Sequence, residues 1–186
     1  MLREDGKRSR AHGLPISVLQ QQALALGIPL VMCKSSWDKY ESNFINTISE
    51  FRKEEIEYGV FGDIDLEAHL EWVERVCSSV QIQSDEPLWK IPRRDLLDKF
   101  FNLGFMATII AVKQEALDSS FLGRTLNDEV ITEMENAGID ASGEEGEYHT
   151  VVTNGPIFHH EVIIKPGEHI LREGYCFLDI SVSTDD

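Results

Sequence analysis

Apolar residues in the first half of the chain recur at helical spacing, interrupted by short continuous apolar runs. Ile16, Leu19, Ala23 and Leu26 share one face of a helix predicted from Leu14 to Gly27, with Pro15 near its start and Gly27 as its stop. Ile28 to Cys33 reads as a buried parallel strand, because a strand covered on both faces has no polar side to alternate. Phe44, Ile45, Ile48 and Phe51 predict a second helix, with Asp38 as N-cap and Gly59 as stop. Val60-Phe61 predicts a second short buried strand, and Leu66, Leu70, Val73 and Val76 a third helix. Strand-loop-helix alternation builds a parallel sheet with helices on its faces, and ligands then bind at the carboxyl ends of the strands. Gly62, Asp63 and Asp65 fall at such an end.

The character changes after Pro87-Leu88-Trp89. Pro92 opens a helix with Leu96, Leu97, Phe100 and Phe101 inward and Gly104 as stop, and Phe105 to Val112 reads as a buried strand. A helix from Leu126 to Asn136 closes at Gly138. Strands follow over Tyr148 to Thr153, Ile157 to Lys165 and Tyr175 to Val182, separated by Gly-Pro and Pro-Gly turns. The pattern thus predicts an α/β region over residues 1–88 and an α+β domain over residues 89–186.

Composition narrows the function classes. A formal charge of −16, from 33 acids against 17 Lys and Arg, opposes general attraction to nucleic acid or anionic lipid, so neither is an expected partner. No apolar run approaches the roughly 20 residues of a membrane span, and residues 1–10 are too polar for a secretory signal. The single basic cluster, Lys7-Arg8-Ser9-Arg10, reads as a flexible solvated terminus. Cys33, Cys77 and Cys176 lie far apart with no C-x-x-C pair, which suggests no zinc site, no disulfide framework and a reducing, cytoplasmic location.

The densest chemistry is Gly143-Glu144-Glu145-Gly146-Glu147-Tyr148-His149-Thr150, three carboxylates between and beside two glycines just before a strand. It is either a solvated turn whose glycines supply backbone freedom or a carboxylate loop that positions a cationic or amino-bearing substrate or a metal-bound phosphate. His149 follows it directly. His12-Gly13 stands at the start of the first helix, where backbone N–H groups could meet an anion or a purine edge. His159 and His160, adjacent on a predicted strand, point to opposite faces and cannot chelate one ion, and His69 has no partner at helical spacing. No dinucleotide fingerprint, Walker loop or nucleophile elbow occurs, and no metal-ligand set is assigned.

Ser9-Arg10-Ala11-His12-Gly13, Ala25-Leu26-Gly27-Ile28-Pro29-Leu30, Val60-Phe61-Gly62-Asp63-Ile64, Pro87-Leu88-Trp89, Phe121-Leu122-Gly123-Arg124 and the Gly143 to Thr150 loop together resemble the diphthine-ammonia ligase family of PP-loop ATP pyrophosphatases over nearly the whole chain. His149 and Glu145 stand where the family's archaeal and eukaryotic members usually carry an acidic residue and a glycine, and the histidine is similar to the bacterial branch. The resemblance implies a Rossmann-like nucleotide-binding domain followed by a smaller substrate-side domain. It implies ATP, with Mg2+, a carboxylate-bearing substrate that is adenylated, and ammonia that displaces AMP to form an amide. His12, Gly13, Gly62 and Asp63 would then face the nucleotide. Arg124, Glu144 and Glu147 would be catalytic, and Gly143, Gly146, Tyr148 and His149 would line the substrate.

The family's opening strand and its serine-glycine-glycine-lysine-aspartate-serine phosphate loop find no counterpart in this sequence. The expectation is therefore a truncated parallel sheet, weak or absent ATP binding, and an exposed sheet edge and apolar face that favour self-association. Two functions stand side by side on the sequence: an AMP-forming amide ligase, or a non-catalytic remnant that binds a ligand or partner.

Overall fold

In the computed structural model, which describes residues 1–183, the elements run α1 (Ile16–Leu26), α2 (Tyr40–Lys53), β1 (Tyr58–Val60), α3 (Glu67–Ser78), β2 (Gln83–Asp85), α4 (Arg93–Asn102), β3 (Met106–Lys113), a 3-10 turn (Ser119–Phe121), α5 (Asp128–Asn136), β4 (Tyr148–Asn154), β5 (Ile164–Arg172) and β6 (Tyr175–Val182). The fold is mixed α/β, with a parallel pair β1-β2 and an antiparallel sheet of order β4-β3-β6-β5. Two compact units form, and neither is continuous in sequence: residues 1–6 with 31–96, and residues 7–30 with those from Leu97 on. No helix among the described residues is long and apolar enough to cross a membrane.

In the first unit, α2 and α3 bury Ile48, Val73, Val76 and Cys77 together with Ile82, and Phe44, Phe51, Phe61 and Trp72 pack around them. Glu41 fastens the two helices. It accepts from both terminal nitrogens of Arg75 at 2.6 and 2.8 Å and from Trp72 Nε1 at 2.9 Å. Tyr58 and Val60 of β1 are exposed, because the parallel pair is covered over only part of its surface.

The second unit is built on the antiparallel sheet. A bulge in β3 between Ile109 and Ala111 shifts its register against β4. Ala107, Ile109 and Val112 consequently join one apolar cluster with Val130, Ile131 and Met134 of α5, while Ile110 joins another with Val18 of α1, Val151 and Ile180. Residues 7–15 belong to this unit as well, which places the segment carrying His12 beside the sheet.

The helices follow their periodicity, and Gly27, Gly104 and Gly138 end α1, α4 and α5 with positive φ. Several expectations are corrected. Ile28 to Cys33 forms no strand, and Ile28 and Val31 are exposed; the nearest backbone pairing is a single bridge from Leu2 to Lys34, and an apolar run becomes a strand only where a neighbour pairs with it. Asp38 does not cap α2, whose N-cap is Lys39, and that helix ends at Glu54, before Gly59, because Glu55 takes the left-handed position and the Ile56 N–H closes on the Phe51 carbonyl. β5 starts at Ile164, so His159 and His160 lie in an exposed loop. The basic cluster is anchored: the Lys7 carbonyl accepts from the Ile16 N–H at 3.0 Å, and Arg8 pairs with Asp179 at 2.6 Å.

Candidate functional site

The acidic loop is held from within by an aspartate. Asp140 Oδ1 accepts from the Ser142 N–H at 3.1 Å and Oδ2 from the Glu144 N–H at 3.0 Å, while the Gly146 N–H donates to the Gly143 carbonyl at 3.0 Å. Gly143 and Gly146 take φ of +69° and +80°, where a Cβ would also stand 3.0 Å from the Tyr148 ring and 3.1 Å from the Tyr175 hydroxyl. Both glycines are therefore required by backbone and by space.

Two tyrosines tie the loop to the sheet. Tyr148 is buried, and its hydroxyl donates to the Ala141 carbonyl at 2.6 Å; Tyr175, on β6, donates to the Gly146 carbonyl at 2.7 Å. Burial drives the Tyr148 phenol well above its ordinary range, and the nearby carboxylates of Asp140, Glu147 and Glu144 add to the shift. It remains a neutral donor throughout the physiological range.

Glu147 continues the ladder through its carbonyl, which accepts from the Lys113 N–H at 2.8 Å. Strand alternation about the buried Tyr148 sends the Glu147 and His149 side chains to the other side. Glu147 Oε2 is shielded from solvent and has no hydrogen-bond partner, whereas Glu145 is exposed. A shielded carboxylate oxygen with no donor is costly, and it is the one loop acid so placed among the described residues.

His149 stands between two rings. It meets His12 edge-on at 5.0 Å between centroids and stacks on Tyr175 at 5.7 Å with 14° between the planes. Burial, with the neighbouring His12 adding, pushes the His149 imidazole down to about 4, so the ring is neutral at neutral pH. His12 is open to solvent on one side, yet the protein packed around its ring lowers its basicity too.

His12 sits at the tip of a tight loop. The Ser9 carbonyl accepts from the Gly13 N–H at 3.2 Å, Ser9 Oγ accepts from the Leu14 N–H at 2.9 Å, and the Ser9 N–H returns to the Leu14 carbonyl at 2.8 Å. The N–H groups of Gly13 and Leu14 are thus committed inside the loop, and the chemistry this turn offers is the His12 ring.

The other predicted residues make different contacts. Arg124 pairs with Glu133 of α5 at 2.7 Å, and its guanidinium covers the Phe121 ring at 4.7 Å. Gly62 and Asp63 belong to the first unit. Asp63 Oδ1 lies 3.0 Å from His69 Nδ1, so His69 does have a partner, one that precedes its helix rather than sharing its face. The Asp65 carboxylate is gripped by Arg93 through two bonds of 2.7 Å. Gly62 has open space where a Cβ would stand, so packing places no demand for glycine there.

Asp140 and Tyr175 were not singled out by the sequence. Asp140 had a local signal, an Asp two and four residues ahead of the N–H groups it binds. Tyr175 had none, since it reaches the loop from a strand 29 residues further on.

Two family models match the chain: the diphthamide synthase N-terminal domain over residues 1–84 and the diphthamide synthase C-terminal domain over residues 92–184. Among curated relatives, the diphthine–ammonia ligase of Homo sapiens is 27% identical over 179 residues, covering 93% of this chain and 66% of the human protein. That of Rattus norvegicus is 29% identical over 133 residues, 69% of this chain and 50% of the rat protein. That of Schizosaccharomyces pombe is 27% identical over 119 residues, 61% of this chain and 20% of the yeast protein. The chain spans between a fifth and two thirds of the length of these relatives.

Proposed function

Because the chain belongs to the diphthamide synthase family, we propose that it serves an ATP-dependent ligation of ammonia to a carboxylate, with the Glu147-His149-His12 group of the second unit handling the amine and the acceptor. The observation that carries this reading is the shielded, unpartnered Oε2 of Glu147. Ammonia reaches the site from solution mainly as ammonium, and a carboxylate oxygen lacking a donor is a ready acceptor for its N–H groups. The neutral His149 ring adds no positive charge to repel that cation and leaves a ring nitrogen able to accept a hydrogen bond.

Ammonium must lose a proton before its nitrogen can attack. Glu147 is placed to hold the cation and accept that proton, and Glu144, fixed through its N–H to Asp140, adds the second carboxylate that favours cation entry. Gly143, Gly146 and Tyr148 keep the loop rigid, so its geometry is set before the substrate arrives. Arg124, paired with Glu133, acts by holding α5 against the sheet rather than by touching the reacting groups.

ATP, with Mg2+, supplies the activation of the carboxylate in such a ligation. Gly62 and Asp63 would lie beside it, since the open side of Gly62 lets a ligand approach the backbone.

The test is formation of AMP and pyrophosphate from ATP by the full chain in the presence of ammonium. Turnover is expected in the native chain and should be lost in a Glu144→Ala, Glu147→Ala double variant that melts at the native temperature. Equal AMP formation by that variant would remove the loop from the chemistry. A folded native chain with no AMP formation would favour a role in binding alone.

A further inference from the structure

Arg172, the last residue of β5, has a guanidinium that none of the described carboxylates pairs with. Its Nε is shielded from solvent and makes no hydrogen bond, and the guanidinium lies 5.4 Å from the centre of the Phe177 ring. In a chain of charge −16 an unpaired arginine is conspicuous, and a shielded donor without an acceptor is costly unless a ligand supplies one.

Arg172 lines a shallow, half-open pocket. Arg8 is also on its wall, with Nη2 donating to Asp179 Oδ1 at 2.6 Å and Nη1 to the Gly13 carbonyl at 3.0 Å. Much of the remaining lining is apolar: Ile110, Ile170, Phe177 and Ile180. Asp179 offsets the charge of Arg8, which leaves the charge of Arg172 to be balanced.

We infer that this pocket binds a small amphipathic carboxylate, with its apolar body against Ile110, Ile170 and Phe177 and its carboxylate on Arg172. The planar fork of a guanidinium matches the two oxygens of a carboxylate, and stacking on Phe177 orients that fork. A phosphate dianion fits less well, because its second charge finds no second free cation and meets Asp179. His12 also lines this pocket, so the inference rests on the ligation reading for what the neighbouring group does, while the binding itself is read without ATP or ammonia and can fail while that reading stands.

The experiment is an NMR titration of the 15N-labelled full chain, without ATP, using benzoate, benzamide, acetate and phenyl phosphate as probes. Benzoate is expected to shift the backbone amides of Ile170, Arg172, Phe177 and Asp179 saturably, with an affinity about tenfold above that of each other probe. In Arg172→Gln the benzoate affinity should fall by about tenfold or more with the rest of the spectrum unchanged. Arg172→Lys, which keeps the charge without the fork, should fall between the two and serves if the glutamine variant does not fold. Benzoate binding unchanged by either substitution, benzamide binding as well as benzoate, tighter binding of phenyl phosphate, or no saturable shift at all would each overturn the assignment.

Discussion

Two glycine-acid segments, residues 62–65 and residues 143–147, look alike in sequence and are built on different principles. In the first, the acids have partners: Asp63 Oδ1 lies against His69 Nδ1, and Asp65 is held by Arg93 through two bonds. Its glycine has room for a side chain. In the second, both glycines sit at positive φ against tyrosine atoms, the backbone is pinned by Asp140, Tyr148 and Tyr175, and Glu147 keeps a shielded oxygen without a donor. Acids with partners hold a chain in place. A pinned loop that shields an acid without a partner is the arrangement from which the ligation reading starts.

The widest separation between the segments is expected from their anchors. Tyr148→Ala removes a buried aromatic ring and its hydrogen bond and should cost about 3–5 kcal/mol, whereas Asp65→Asn removes an exposed ion pair and should leave the melting curve nearly unchanged. Chemical denaturation of both variants checks this. If Asp65→Asn proves the more damaging, the contrast between the two segments is wrong.

Next in size is Glu147→Gln. Under the ligation reading, turnover should fall by about 10²–10⁴-fold, while stability should hold or rise because a shielded charge is removed. Paired turnover and thermal measurements on one preparation separate these effects, and a loss of stability matching the loss of turnover would mean that Glu147 is structural.

The glycines offer a smaller and sharper comparison. Gly143→Ala should cost about 1–2 kcal/mol, since alanine at positive φ is strained and its Cβ meets the Tyr148 ring. Gly62→Ala should stay within about 0.5 kcal/mol. Equal costs would erase the distinction drawn from their backbones.

The pH dependence comes last because it acts only below about pH 6.5. The folded chain holds His149 unprotonated down to about 4, against an ordinary value of 6.5, so between these pH values the unfolded chain binds the extra proton. Stability from this group is fully present above about pH 6.5 and declines as pH falls toward 4. His149→Gln should flatten that part of the stability curve. An imidazole titration of His149 near 6.5 in the folded chain, followed by NMR, would count against a packed, neutral ring.

Much of the secondary structure was legible because it rests on local rules. Periodic apolar residues with glycine stops place α1, α4 and α5, and β6 spans the run read from sequence, Tyr175 to Val182. β2 was not read at all: Gln83–Asp85 is polar, and it is a strand because β1 lies parallel to it. The apolar Ile28 to Cys33 run failed for the converse reason, since it has only a bridge nearby. In the loop, the acids and glycines were visible as a cluster, but which acid keeps an unsatisfied oxygen depends on every donor around it.

The order of residues alone set the helical faces, the glycine turns, the crowding of carboxylates before β4 and the resemblance that led to the family. The tertiary structure alone decided that residues 7–30 fold with the second half, that His12 meets His149 across 137 positions of sequence, and that Glu147 and Arg172 are left with unanswered polar atoms. The reason is range: propensity and periodicity act within a few residues along the chain, whereas hydrogen-bond satisfaction and charge pairing are settled by whatever the fold brings within about 3–4 Å.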